Sequence, residues 1–114
     1  MFKMKTINRT AITIRPKQLY IDWANSFDDG EKYDPDKRHA TTILVSDEYD
    51  EFNYETYLEK IYKILFEEEL ESWMASPKGW PKIKDYTMFK NWFEIICSDM
   101  TWDYGTGDIK HEEF

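Results

Sequence analysis

The residues that could perform catalysis are few, and no signature joins them. Nucleophilic catalysis needs a nucleophile, a base and an orienting group. The chain offers one cysteine, Cys97, the two histidines His39 and His111, and 23 acidic residues. Cys97 falls in an apolar, strand-like segment, where a cysteine usually packs as a small hydrophobe. We predict that Cys97 is buried and inert, we assign no catalytic residue, and we favour a function that is not enzymatic.

Metal and nucleotide sites have little support in the spacing of the residues. The two histidines and the cysteine match no zinc pattern. The acidic segment Asp28–Asp36 lacks the ligand spacing of a calcium loop, so a solvated loop is favoured over weak calcium binding. The four glycines form neither a phosphate-binding loop nor a dinucleotide fingerprint. The sequence therefore predicts no metal and no cofactor.

Glu69 is the sharpest candidate for a site. On a helical wheel of 100° per residue it falls within an apolar stripe, four residues after Leu65 and three after Phe66. A carboxylate that points at a core is costly to bury unless it is paired. Two interpretations stay open. Glu69 could mark the pocket of a small enzyme or ligand-binding protein, or it could be structural, in an ion pair with Arg9 or Arg15 or at an exposed helix end.

Two aromatic residues belong to no periodic apolar face. Tyr33 lies in an acidic stretch rich in turn-forming residues, and Trp80 lies in a Gly-Trp-Pro turn. Tyrosine and tryptophan supply large, rigid contact areas and concentrate at binding surfaces. We predict that Tyr33 and Trp80 are exposed and contact a partner, whereas most of the other rings pack in an aromatic-rich core.

The net charge of −8 limits the possible partners. An acidic protein repels nucleic acid and anionic lipid, so we expect no direct nucleic-acid binding and no membrane binding. No apolar run is long enough to span a bilayer, and a single cysteine fits a reducing compartment. The sequence therefore predicts a cytoplasmic protein.

The segments between the candidate residues predict one α+β domain over residues 1–114, with a sheet of about three strands and two to three helices packed on one face. Alternating apolar residues predict strands over Thr6–Arg15 and about Phe93–Asp103. A content rich in β-branched and aliphatic residues predicts a second strand over His39–Val45. The second strand ends in the apolar run Ile43-Leu44-Val45, which suggests an interior position. Residues 104–114 are predicted to be a frayed tail.

The helical patterns are of unequal strength. A short helix is predicted from about Lys17 to Ser26, and a second short helix is capped by Asp85. The longest helix is predicted from an N-cap at Asn53 to about Ala75. Phe52 and Tyr57 stand in the relation of a hydrophobic staple at its start.

Several segments resemble a family of small, acidic bacterial proteins. They are Thr13–Lys17, Tyr20–Asn25, Trp92–Phe93, Ile96–Met100 and Trp102–Asp103. The resemblance implies a bacterial cytosolic origin, and it implies no activity, ligand or functional residue.

Three functions are compatible with these patterns. The sequence favours an acidic protein-interaction module that binds another protein, or a second copy of itself, near Tyr33 and Trp80. The first alternative is the small enzyme or ligand-binding protein with a pocket around Glu69. The second is a nucleic-acid mimic that inhibits a basic DNA-binding protein, although Lys60, Lys63 and Lys90 interrupt its acidic surface.

Overall fold

The computed structural model describes residues 5–27, 31–37 and 39–113. The turn predicted at Asp28–Gly30 lies outside them. The described part of the chain forms five strands and three α-helices, which confirms the α+β class. In chain order they are β1 (Lys5–Thr6), β2 (Arg9–Pro16), α1 (Gln18–Ala24), β3 (Thr41–Ser46), α2 (Tyr54–Trp73), α3 (Tyr86–Trp92), β4 (Phe93–Cys97) and β5 (Trp102–Asp103).

The central strand of the larger sheet is β2. The strand order is β3-β2-β4, with both neighbours antiparallel to β2. Ile12 lies opposite Ile43 on one side and Cys97 on the other. Because side chains alternate along a strand, Ile12 and Ile14 share the buried inner face, while Arg15 lies on the outer face and is exposed.

The second predicted strand, β3, is an edge strand and not an interior one. Val45 is buried and Ile43 packs against the core, but Leu44 between them is 49% exposed on the outer face. An interior strand needs a neighbour on each side, and the described chain supplies only β2. The apolar run was therefore misleading about the position of β3 in the sheet.

The third predicted strand is two strands. β4 ends at Cys97, and residues 98–101 lead to β5, which pairs with β1 in a separate two-stranded sheet. Thr6 lies opposite Trp102 in that sheet. Side chains alternate in the same way before and after residues 98–101, so the sequence pattern does not show that the strand is interrupted there.

The long helix α2 begins one residue after Asn53, as predicted, but its start is built differently. The Asn53 side chain makes no capping bond to the helix, because its Oδ1 accepts from the backbone N–H of Asp50 at 2.6 Å. Phe52 is 89% exposed, so the predicted staple with Tyr57 is wrong. The stability of α2 comes instead from its apolar stripe, whose buried members are Leu58, Leu65, Phe66 and Leu70.

The cap predicted for the third helix is confirmed. Asp85 Oδ1 accepts from the backbone N–H of Met88 at 2.8 Å, which satisfies a free donor of the first turn of α3. The helix then passes directly into β4 at Phe93.

One apolar cluster joins the three helices to the inner face of the sheet. Aromatic rings form its centre, with the Phe66 ring 5.2 Å from Phe93 and 6.0 Å from Phe89, measured between centroids. Residues 104–113 are exposed and contain no helix or strand. None of the helices in the described chain has the length and the apolar run that a membrane crossing requires.

Candidate functional site

A cleft of about 680 Å³ lies between the start of β3, α1 and the second half of α2. Its wall combines polar groups with aromatic rings. The lining residues are Pro16, Tyr20, Tyr33, His39, Ala40, Thr41, Glu68, Glu69, Ser72 and Trp73. The cleft therefore contains the carboxylate that the sequence singled out.

Glu69 lies on the wall of this cleft and is partly buried. It belongs to α2, four residues after the buried Leu65, and so it faces the sheet side of the helix. Its Oε1 accepts a hydrogen bond of 2.5 Å from the hydroxyl of Thr41. Thr41 lies opposite Ile14 in the sheet, which places its side chain on the inner face of β3.

Burial raises the pKa of the Glu69 carboxyl group above its usual range. The hydrogen bond from Thr41 opposes that shift because it stabilises the ionised form, and Glu68 beside it adds to the shift by charge repulsion. His39 lowers the pKa by a smaller electrostatic effect. Desolvation is the largest of these effects, so the folded protein holds the Glu69 proton more strongly than an exposed glutamate does.

The backbone of Glu69 is held by two hydroxyl groups. The Tyr20 hydroxyl donates to the Glu69 carbonyl oxygen at 2.6 Å, and the Ser72 hydroxyl donates to the same oxygen at 2.7 Å. Burial raises the pKa of Tyr20 to about 12, so its phenol stays neutral and acts as a donor. The Tyr20 bond ties α1 to α2, and the two bonds together fix the turn of helix that carries the carboxylate.

Tyr33 is buried, with 4% of its surface exposed, so the prediction that it is an exposed contact residue is wrong. Its backbone N–H donates to Asn25 Oδ1 at 2.7 Å, and its hydroxyl accepts from the backbone N–H of His39 at 3.1 Å. Its ring lies 6.0 Å from that of Tyr20, edge to face. The segment around Tyr33 folds back onto the core through contacts that have no sequence period.

The structure does not bring Glu69 together with Arg9 or Arg15. Both arginines lie on the outer face of β2 and are exposed, whereas the cleft opens on the inner face. Arg9 donates to the backbone carbonyl of Asn8 at 2.8 Å, and Arg15 lies across the sheet from Glu94. The ion-pair interpretation of Glu69 therefore has no support in this geometry.

Trp80 is half-buried and packs against the core. Its indole N–H donates to the carbonyl of Met74 at 2.7 Å. The part of the ring that stays accessible lines a separate shallow groove beside Lys63 and Glu67. Trp80 is thus a packing residue with one accessible edge.

Cys97 is half-buried on the inner face of β4, opposite Ile12. Burial raises the pKa of its thiol, and the nearby carboxylates of Asp50, Glu51 and Asp99 raise it further. A thiol in this environment is a poor thiolate nucleophile.

The sequence pointed to Glu69 but not to its surroundings. Tyr20 reaches the cleft from α1, and His39 and Thr41 reach it from the segment at the start of β3. Only the helical period of α2 could be used to predict the site, because the contacts of Glu69 with Thr41 and Tyr20 join segments that are far apart in the chain.

Comparison with known proteins gives no match, either to a family model, to a curated protein or to a solved structure. The resemblance to small bacterial proteins stays a prediction.

The cleft combines hydrogen-bond acceptors with hydroxyl groups. The Glu69 carboxylate is a hydrogen-bond acceptor. The Tyr33 hydroxyl accepts from the backbone N–H of His39, and its own proton has no acceptor among the described residues. The Ser72 hydroxyl is occupied by the Glu69 carbonyl, whereas the Thr41 hydroxyl donates to the Glu69 carboxylate and so pairs a hydroxyl with a possible base. Nowhere in the described chain do three histidine, cysteine, aspartate or glutamate side chains gather as metal ligands.

Proposed function

We propose that the chain is a binding protein that holds a cationic organic group, an amine or a guanidinium, in the cleft beside Glu69. One observation carries the proposal, the partly buried carboxyl group of Glu69 on the cleft wall. Its one hydrogen-bond partner among the described side chains is the Thr41 hydroxyl, through Oε1, and no lysine or arginine of the described chain forms an ion pair with it. A ligand cation would supply a charge that the described residues do not place at hydrogen-bond distance.

The burial that raises the pKa of Glu69 also favours a cation beside it. Burial weakens the hydration of the Glu69 carboxylate, and a cation at hydrogen-bond distance replaces that hydration with a direct interaction. Such an ion pair is stronger in a partly desolvated cleft than on an open surface. Binding therefore favours the ionised form of Glu69 and weakens as the pH falls through its raised pKa.

The walls suit a cation with a short apolar body. The volume of about 680 Å³ lies within the range of roughly 300 to 1,000 Å³ that is common for small-molecule sites. Trp73 is only partly buried and stands 5.5 Å from the Tyr33 ring, so aromatic surface lies beside the carboxylate. Aromatic faces attract cations as well as apolar groups.

The cationic group can belong to a free amine or to a lysine or arginine side chain of a protein partner. A lysine or arginine of a protein partner would agree with the protein-interaction hypothesis, but the contact would be made in the Glu69 cleft and not at an exposed Tyr33. A basic DNA-binding protein, the target of a nucleic-acid mimic, would instead contact many carboxylates and would depend little on Glu69 alone. We also propose a cytosolic location, which the single cysteine supports.

The test is a titration of the ¹⁵N-labelled protein followed by two-dimensional NMR. The ligands are n-hexylamine, a blocked arginine amide, a short lysine-rich peptide, and n-hexanol as the neutral control. We expect the amine and the arginine amide to shift the amide signals of Thr41, Ser72 and Trp73, whereas hexanol should not. If the natural source is a protein, the peptide should bind more tightly than the amine and should shift signals beyond the cleft.

The matched variants are Glu69→Gln and Glu71→Gln. Both remove one negative charge from α2, but Glu71 is exposed and lies outside the cleft. Glu69→Gln should weaken amine binding about tenfold, equivalent to about 1.4 kcal/mol, and Glu71→Gln should leave it unchanged. Equal affinities of the two variants, or equal binding of hexanol and hexylamine, would contradict the proposal.

A further inference from the structure

We infer that the chain forms a twofold-symmetric dimer in which β3 pairs antiparallel with β3 of a second copy, with Leu44 opposite Leu44. The inference is independent of the Glu69 cleft. β3 has β2 as its one neighbour in the described chain, and its residues Thr41–Ser46 include no proline and no charge. Monomeric proteins usually protect such an edge with charges, prolines or bulges, because a free edge is a template for another strand.

The hydrogen-bond pattern shows which backbone groups face the free edge. The N–H of Ser98, just after β4, donates to the carbonyl of Ala11 at 2.9 Å, so the backbone groups of Ala11 point to the β4 side. In an antiparallel sheet successive residues point to opposite sides, so Ile12 is bonded to β3 through its partner Ile43. The next residue, Leu44, therefore directs both its N–H and its carbonyl to the free edge.

The same alternation directs the backbone groups of Thr42 and the N–H of Ser46 outward, while the Ser46 carbonyl already accepts from the backbone N–H of Tyr49 at 3.1 Å. Pairing centred on Leu44 sets Thr42 of one copy opposite Ser46 of the other. Both backbone groups of Leu44 then gain a partner, and the Ser46 N–H gains the Thr42 carbonyl. The side chain of Leu44 is 49% exposed and borders a groove of about 460 Å³ together with Ile7 and Ile109. The two Leu44 side chains would cover each other across the twofold axis, which removes apolar surface from water.

The described charges nearest to the two ends of β3 fit a second copy of the same strand. Lys37 precedes β3, Asp47 and Glu48 follow it, and all three are exposed. Antiparallel pairing reverses the second copy, so Lys37 of each copy lies towards Asp47 and Glu48 of the other, whereas Asp36 beside it carries the opposite charge. A parallel arrangement would place Asp47 and Glu48 of the two copies together. The acidic pair after β3 therefore favours the antiparallel dimer.

The first measurement is the mass of the protein in solution by sedimentation equilibrium. Because one pair of strand edges is a small interface, the concentration series should extend from about 10 µM to about 1 mM. We expect the mass to rise from 13.9 kDa towards twice that value. Leu44→Lys should weaken the dimer at least about tenfold, because it sets two lysines opposite each other at the axis.

Leu19→Lys is the matched control. Leu19 is 48% exposed, like Leu44, but it lies on α1. This variant should dimerise like the natural protein, and circular dichroism should show that both variants remain folded. A mass that stays at 13.9 kDa across the series, or a dimer that Leu44→Lys does not weaken, would overturn the inference.

Disulfide trapping tests the register without depending on the lysine variant. Hydrogen-bonded partners in an antiparallel pair have Cα atoms about 5.5 Å apart, within disulfide range. In a Cys97→Ser background, Leu44→Cys should form a covalent dimer under mild oxidation. Ser46→Cys should not, because its counterpart lies four residues farther along the pair. A cross-link at position 46, or none at position 44, would show that the strands do not pair as inferred.

Discussion

Replacing Thr41 with valine removes the hydroxyl that donates to Glu69 at 2.5 Å and keeps the shape of the side chain. A hydrogen bond to an ionised group contributes about 1.5–3 kcal/mol when it is shielded from solvent. Thr41 is exposed, and solvent screening reduces that contribution, so we expect Thr41→Val to lower the free energy of unfolding by about 1 kcal/mol at about pH 8.

The cost of Thr41→Val should depend on pH. A neutral acceptor makes a bond about half as strong as an ionised one, so the cost should fall to about 0.5 kcal/mol where Glu69 is protonated. Burial raises the folded-state pKa of Glu69 above its unfolded value, so Glu69 lowers the stability of the fold as the pH rises through that interval. Thr41→Val removes a group that stabilises the ionised form, and its cost must therefore grow with pH.

The assay is urea unfolding followed by tryptophan fluorescence at about pH 5 and about pH 8, for the two single variants Thr41→Val and Glu69→Gln and for the double variant. Thr42→Val is the control, because its hydroxyl pairs with the neutral Thr13 hydroxyl at 2.9 Å and its loss should cost the same at both pH values. The reasoning is refuted if Thr41→Val costs the same at both pH values, or if it adds fully to Glu69→Gln at pH 8.

Two further substitutions test the packing around the site. Tyr20→Phe removes a buried donor to the Glu69 carbonyl and should lower the free energy of unfolding by about 1 kcal/mol. The control Tyr104→Phe, at a residue 61% exposed, should leave that free energy almost unchanged. Equal losses for the two variants in urea unfolding would argue against the Tyr20 bond. Trp80→Ala removes a half-buried ring that is hydrogen-bonded to Met74 and should lower the free energy of unfolding by about 2–3 kcal/mol. An unchanged unfolding midpoint would instead favour the prediction that Trp80 is an exposed contact residue.

The sequence by itself determined the features that depend on local periodicity. The alternation in β2 and the apolar stripe of α2 are set by residues close together in the chain, since the backbone conformation alone decides which side chains share a face. The same rule identified Glu69 as a carboxylate on the core side of α2. The Asp85 cap was predictable for a similar reason, because its acceptor and the Met88 donor are three residues apart.

The tertiary structure alone decided how these elements meet. The hydroxyl of Thr41 reaches Glu69 across 28 positions of the chain, and no local pattern encodes a contact at that separation. Tyr33 is buried because its segment folds onto α1 and α2, although it lies on no periodic face. β3 is an edge strand because the one further strand of the larger sheet in the described chain, β4, pairs with the other side of β2, while β1 and β5 pair with each other. Side-chain period fixes which face a residue occupies, whereas strand order and cleft formation depend on contacts between segments far apart in the chain.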